Sequence, residues 1–242
     1  MSVRIAMWSG PRNISTAMMR SFENRPDCVV VDEPFYAAYL AATGLDHPMR
    51  EAVLASQPTD WRAVAEALVT DQPAPVVYQK HMTHHMAPGF GLDWLSACRS
   101  AFLIRDPAAV LASYVKRRAE VSLEDIGVVR QRELFDREAQ RLGHAPPVIE
   151  AADVLAGPER ALAALCRALG ISFSAAMLDW PAGRRASDGV WAPAWYDAVE
   201  RSTGFAQPER PPEPLPADLA RIAEAARPHY EALARFKLSA SA

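Results

Sequence analysis

Cysteine is scarce in this 242-residue chain: Cys28, Cys98 and Cys166 stand far apart, odd in number and never in CxxC spacing. That excludes a disulfide framework and points to reduced thiols in a cytoplasmic protein. Long apolar runs are missing as well. No stretch approaches the roughly 20 residues that a membrane helix needs, and no basic segment followed by an apolar run and a cleavage site marks a secretion signal. Positive charge is not in excess, since 26 Lys and Arg against 29 Asp and Glu leave a net charge of −3. A global field that would favour nucleic acid or an anionic membrane is therefore excluded, and any polyanion site has to be built locally. No internal repeat is visible.

What is present is ordinary globular material, with half of the residues hydrophobic and 23% charged. Five short apolar runs, 3–8, 28–32, 76–80, 101–105 and 147–150, read as strands. They show little polar alternation, as expected of strands covered on both faces. Helical patterns at 15–24, 61–70, 108–116, 123–142 and 159–169 alternate with them, and a last amphipathic helix covers 218–236. Alternation of this kind predicts an α/β fold, a three-layer α/β/α sandwich around a parallel sheet of about five strands. Ligands of such sheets lie beyond the carboxyl ends of the strands. A single domain over 1–242 is expected, with a core at 1–205, a proline-rich connector at 206–216 and a C-terminal helix at 217–237. The stretches between the second and third strands and at 179–205 are expected to be long irregular loops. Trp191, Trp195, Tyr196 and Phe205 of the second would form a lid or wall, or pack on the core.

The first strand runs into "WSGPRNISTAMMRSF", residues 8–22. A loop that enters a helix offers unpaired N–H groups and a positive dipole end, which together attract anions. Arg12 adds a permanent cation, and Ser15 and Thr16 add hydroxyls. A triphosphate loop would read GxxxxGK[ST]; here Gly10 holds the first position, but the lysine is absent. A ligand with fewer bridged phosphates suits this loop better. A second cluster, "FLIRDPAAVLASYVKR" at 102–117, puts Arg105 at a strand end and Ser113 eight residues on, with a helix N-terminus at Asp106–Pro107 as a second expected anion pole.

These two elements resemble those of the sulfotransferases that use 3′-phosphoadenosine-5′-phosphosulfate, a P-loop-type nucleotide-binding fold. The resemblance implies that Pro11, Arg12, Asn13, Ile14, Ser15 and Thr16 hold the 5′-phosphosulfate and that Arg105 and Ser113 hold the 3′-phosphate. "YQKHM" at 78–82, the acidic strand end and helix at 150–171, and "RRASDGVWA" at 184–192 are similar to further family elements, in the same order. The last of these would bring Arg184 and Arg185 to the 3′-phosphate and the adenosine. Ile14 stands where the family has glycine.

Sulfuryl transfer requires charge neutralisation at the leaving phosphate and removal of the acceptor's proton. Arg12 and Lys80 are suited to the first task. Glu33, in "DEPFY", and His81, beside Lys80, compete for the second, with His84 and His85 in reserve. Glu33 is open to a second reading, as an ion-pair partner of Arg12 or Lys80. The three histidines lack a further ligand at metal-binding spacing, so no metal is expected. Arg117 and Arg118 lie within reach of the second cluster in sequence. The expected activity is sulfuryl transfer to a hydroxyl or amine of a small-molecule acceptor. A P-loop kinase or hydrolase, or a nucleotide-binding regulator without turnover, is the alternative. The acceptor and the oligomeric state leave no mark in the sequence.

Overall fold

The computed structural model describes residues 2–115, 121–206 and 214–239; Arg117, Arg118 and most of the proline-rich connector lie outside the described residues. Five strands, β1 (Val3–Ser9), β2 (Cys28–Asp32), β3 (Val76–Met82), β4 (Arg99–Ile104) and β5 (Val148–Glu150), form one sheet in the order β2-β3-β1-β4-β5. All four pairings are parallel. The helices are α1 (Ser15–Glu23), α2 (Tyr36–Thr43), α3 (Arg50–Ser56), α4 (Trp61–Val69), α5 (Pro107–Tyr114), α6 (Val128–Leu142), α7 (Ala151–Ala156), α8 (Pro158–Ala168), α9 (Ala192–Trp195), α10 (Asp197–Glu200) and α11 (Ala217–Ala234).

The period of two in a strand sorts the apolar residues into two cores, one per face. In β1, Ile5 and Met7 pack with Met18, Phe22 and Tyr78, whereas Ala6 and Trp8 pack with Leu95, Phe102 and Phe135. The next strand in the sheet repeats the split, with Ala101 and Leu103 on the first face and Phe102 and Ile104 on the second. Burial on both faces is why these strands read as continuous apolar runs, and it produces the three layers.

Register brings the chemistry together. Asp32 stands beside Lys80 across β2 and β3, and Met7 beside Lys80 across β1 and β3. The segment after β2 is not irregular, as expected from its Tyr, Met and Pro content, but holds α2 and α3. α6 starts at Val128, later than the pattern from 123 suggested. Gly127 ahead of it takes a left-handed φ of 67°, after a turn in which Ser122 and Asp125 bond one another. Among the described residues no helix is long and apolar enough to cross a membrane.

Candidate active site

The loop between β1 and α1 is built on close approaches. A Cβ at Gly10 would sit 2.4 Å from the carbonyl oxygen of Ile126, so this glycine answers to packing against the chain ahead of α6. Asn13 turns its amide into the fold and donates to the Leu103 carbonyl at 2.7 Å. Arg12 and Ile14 adopt left-handed φ values of 57° and 48°. For a β-branched residue this costs about 1–2 kcal/mol, strain of the kind that gathers at functional loops. Ile14 caps α1 without a side-chain hydrogen bond, and the first turn holds no acidic residue. The N–H groups of that turn are thus left for an anion. Pro11, Arg12, Asn13, Ile14, Ser15 and Thr16 all line one cavity of about 350 Å³.

Arg105 and Ser113 line the same cavity. Arg12 Nε donates to Ser113 Oγ at 3.1 Å, and the Arg105 guanidinium donates to the backbone carbonyl of Arg12. The expected anion pole at the N-terminus of α5 is already filled. The Asp106 carboxylate caps it, accepting from the Ala108 and Ala109 N–H groups at 2.8 and 3.2 Å. What the second cluster presents to the cavity is therefore its side chains and not a helix N-terminus. Arg184 and Arg185 stand off the cavity: Arg184 is exposed and lies 3.5 Å from Glu200, while Arg185 donates to the Pro181 carbonyl.

Across the sheet, at the ends of β2 and β3, lies a buried polar network. Lys80 is 1% exposed and its ammonium donates to Asp32 at 2.9 Å, Glu33 at 2.5 Å and the Tyr196 hydroxyl at 2.7 Å. Glu33 thus satisfies its ion-pair reading, with Lys80 and not Arg12, and still lines the cavity. Its φ of 41° is a further left-handed, strained backbone, directly ahead of Pro34. Burial pushes the Glu33 carboxyl up, with Lys80 opposing and Asp32 adding to the rise. For Lys80 burial pulls down, but the Asp32 and Glu33 carboxylates outweigh it and the ammonium is held above its ordinary value. Burial thus sets the direction for Glu33, and two carboxylates sharing one ammonium set it for Lys80.

Strand alternation removes His81 from the site. It points to the face opposite Lys80, 1% exposed, stacked on Trp8 at 4.5 Å and bonded to Gln79 at 3.2 Å. Burial holds it down to about 3, so it is a neutral core residue. His84 and His85, one turn on, are the histidines of this stretch that reach the cavity. His85 Nδ1 lies 3.9 Å from Glu33 Oε2, its ring stacks on Tyr36 at 4.4 Å, and burial keeps it well below the usual imidazole range. Of the aromatic residues in the late loop, Trp195 and Tyr196 line the cavity; Trp191 is a 1% exposed core residue, and Phe205 packs edge-on against Trp180. The cysteines are free, and burial pushes Cys28 and Cys98 up to about 12 and Cys166 to about 11, far from a reactive thiolate.

Asp32 and His47 escaped the sequence reading, and Tyr196 was read only as part of a lid or wall. Asp32 has a signal, as the residue before Glu33 at a strand end. Tyr196 meets it across 164 residues, and His47 bonds the Tyr36 hydroxyl at 3.0 Å; neither pairing has a local signature.

The chain is 36% and 34% identical to branched-chain-amino-acid aminotransferase-like proteins 1 and 2 of Arabidopsis thaliana, over 95% of its own length and 41% of theirs. It therefore spans about two fifths of those relatives. Among solved structures, a sulfotransferase from Alicyclobacillus acidocaldarius shares the fold at a TM-score of 0.60 and 13% identity, over 99% of this chain and 98% of that one. The sulfotransferase domain from the curacin biosynthetic pathway matches at 0.55 and 17% identity, over 93% and 97%. The family model described as "Sulfotransferase domain" matches residues 3–236, and the chain belongs to that family.

Proposed function

We propose that the chain is a cytoplasmic sulfotransferase that moves the sulfuryl group of 3′-phosphoadenosine-5′-phosphosulfate to a hydroxyl or amine of a small-molecule acceptor. One observation carries this reading: a single cavity is bounded by a donor-rich loop with two arginines on one side and a buried carboxylate on the other. The strands that deliver Arg105 and Glu33, β4 and β2, are three sheet positions apart. At the usual strand spacing that is about 14 Å, room for a two-phosphate nucleotide with an acceptor beyond it.

The donor set fits such a nucleotide. Arg12, Arg105, Ser15, Thr16, Ser113 and the first N–H groups of α1 all donate, and Glu33 is the one carboxylate among the described lining residues. In the reaction a bond forms from the acceptor atom to sulfur as the bond from sulfur to the phosphate oxygen breaks, and the electron pair leaves with the phosphate. Arg12 and the loop counter the charge that develops there. Glu33 takes the acceptor's proton. Lys80 already occupies its Oε1, so Oε2 is the oxygen that serves. With its three bonds spent, Lys80 holds the base rather than the leaving phosphate.

Calorimetry with adenosine 3′,5′-bisphosphate against ATP and magnesium tests the reading. Tight binding of the bisphosphate and little of ATP supports it; the reverse preference would replace it with a kinase. Binding without turnover on a broad panel of alcohols and amines would leave a regulator.

A further inference from the structure

The long loop at 179–205 contributes more than a wall. We propose that Tyr196 is a positioning residue of the transfer reaction: together with Asp32 it fixes Lys80 against Glu33 Oε1, leaving Oε2 to the acceptor. The inference rests on the reading of Glu33 as base.

The valences close around one hydroxyl. A tyrosine O–H has one proton to give and two lone pairs to receive with. Here it donates to Asp32, with both carboxylate oxygens at 2.8–2.9 Å, and accepts from Lys80 Nζ at 2.7 Å and from Trp191 Nε1 at 3.1 Å. Asp32 is held in turn by the Gly189 N–H at 3.1 Å. Lys80, whose long stem has many rotamers, is left with one orientation because each of its three N–H bonds has an acceptor. The side chains of the network, those of Asp32, Glu33, Lys80, Trp191 and Tyr196, are all buried, where such bonds are stronger than in water. The same tyrosine sits at the junction of α9 and α10, and its neighbours Trp195, Val199 and Ser202 line the cavity. One hydroxyl thereby ties the cavity wall to the base.

The groups that face Glu33 are Asp32 from β2, Lys80 from β3, Tyr36 from α2, His85 from the turn after β3, and Tyr196. They fix the direction of each perturbation. Losing the Tyr196 hydroxyl removes a polar neighbour 3.4 Å from Glu33 Oε1 that favours the charged carboxylate, and it loosens Lys80, so the carboxyl becomes easier to protonate. Losing the Asp32 charge removes a repulsion and leaves Lys80 to Glu33, so the carboxyl becomes harder to protonate.

The experiment compares Tyr196→Phe and Asp32→Asn with the wild type. In Tyr196→Phe, kcat is expected to fall about 10-fold, the size of one hydrogen bond to a charged group. Affinity for adenosine 3′,5′-bisphosphate stays unchanged, and the acid limb of kcat/KM moves to higher pH. In Asp32→Asn that limb moves to lower pH. Packing damage alone would not displace the two variants in opposite directions. Titration of 13C-labelled glutamate, with the Glu33 resonance assigned by its loss in Glu33→Gln, follows the same opposed shifts without any substrate. A wild type that transfers no sulfuryl group would thus refute the functional reading and leave the positioning claim to the resonance. Shifts of the same sign in both variants, or a Glu33 titration unmoved in Tyr196→Phe, overturn the claim. If Tyr196→Phe does not fold, the downward displacement in Asp32→Asn decides.

Discussion

Arg12 Nε lies 3.1 Å from Ser113 Oγ, although 101 residues separate them in the chain. The two elements with a phosphate-binding pattern are therefore one structure, joined across the β1–β4 pair.

Ser113→Ala is expected to weaken adenosine 3′,5′-bisphosphate by roughly 10-fold, the scale of a hydrogen bond to a charged group, and its 3′-dephospho analogue much less. Isothermal titration with both nucleotides measures the difference. Equal weakening would mean that the serine serves only to hold Arg12.

Glu33→Gln is expected to lower kcat by roughly 10²–10⁴, the usual contribution of a positioned base, while the bisphosphate still binds. Lys80 keeps Asp32 and Tyr196 as partners in this variant. In the wild type, burial raises the carboxyl, so the rate climbs with pH through a limb above the ordinary value of 4.5. Near-normal turnover in the variant removes Glu33 from the base role.

The same shift has a stability consequence of opposite sense to the common carboxylate case. A folded-state value above the unfolded one means that the native protein binds more protons between the two. The Glu33 contribution therefore falls as pH rises from 4.5 through the folded value. Thermal unfolding of Glu33→Gln against pH should lack this decline.

His81→Gln keeps a donor for Gln79 and is expected to leave turnover near normal, because the ring faces the Trp8 side of the sheet. Its titration is of the depressed kind. Held down to about 3, the native imidazole stays neutral while the unfolded one protonates below 6.5, so stability is lost as pH falls from 6.5 toward 3. The variant should show a shallower loss across that window in a urea series; a hundredfold drop in turnover instead would return His81 to the site.

Gly10→Ala places a methyl group 2.4 Å from a backbone oxygen, and neither strand β1 nor the chain before α6 yields cheaply. A destabilisation of about 1–3 kcal/mol is expected from such overpacking. Chemical denaturation reads it, and wild-type stability would show that residues 121–127 pack elsewhere.

The sequence by itself determined the five strands, the parallel architecture and the loop that joins the first strand to the first helix, because these depend on local properties. Apolar runs bounded by helical patterns need no partner to be recognised, and Arg12, Ser15 and Thr16 all follow closely on the end of the first strand. It also placed Arg105 and Ser113 by their spacing. Only the tertiary structure decided which face each neighbour takes: Lys80 turns to the cavity and His81 away, since one step along a strand reverses the side chain. It decided as well that Asp106 closes the N-terminus of α5 and that Tyr196 reaches Asp32. Those outcomes are set by register and by loops returning over the sheet, contacts whose partners lie far apart along the chain and leave no periodic trace.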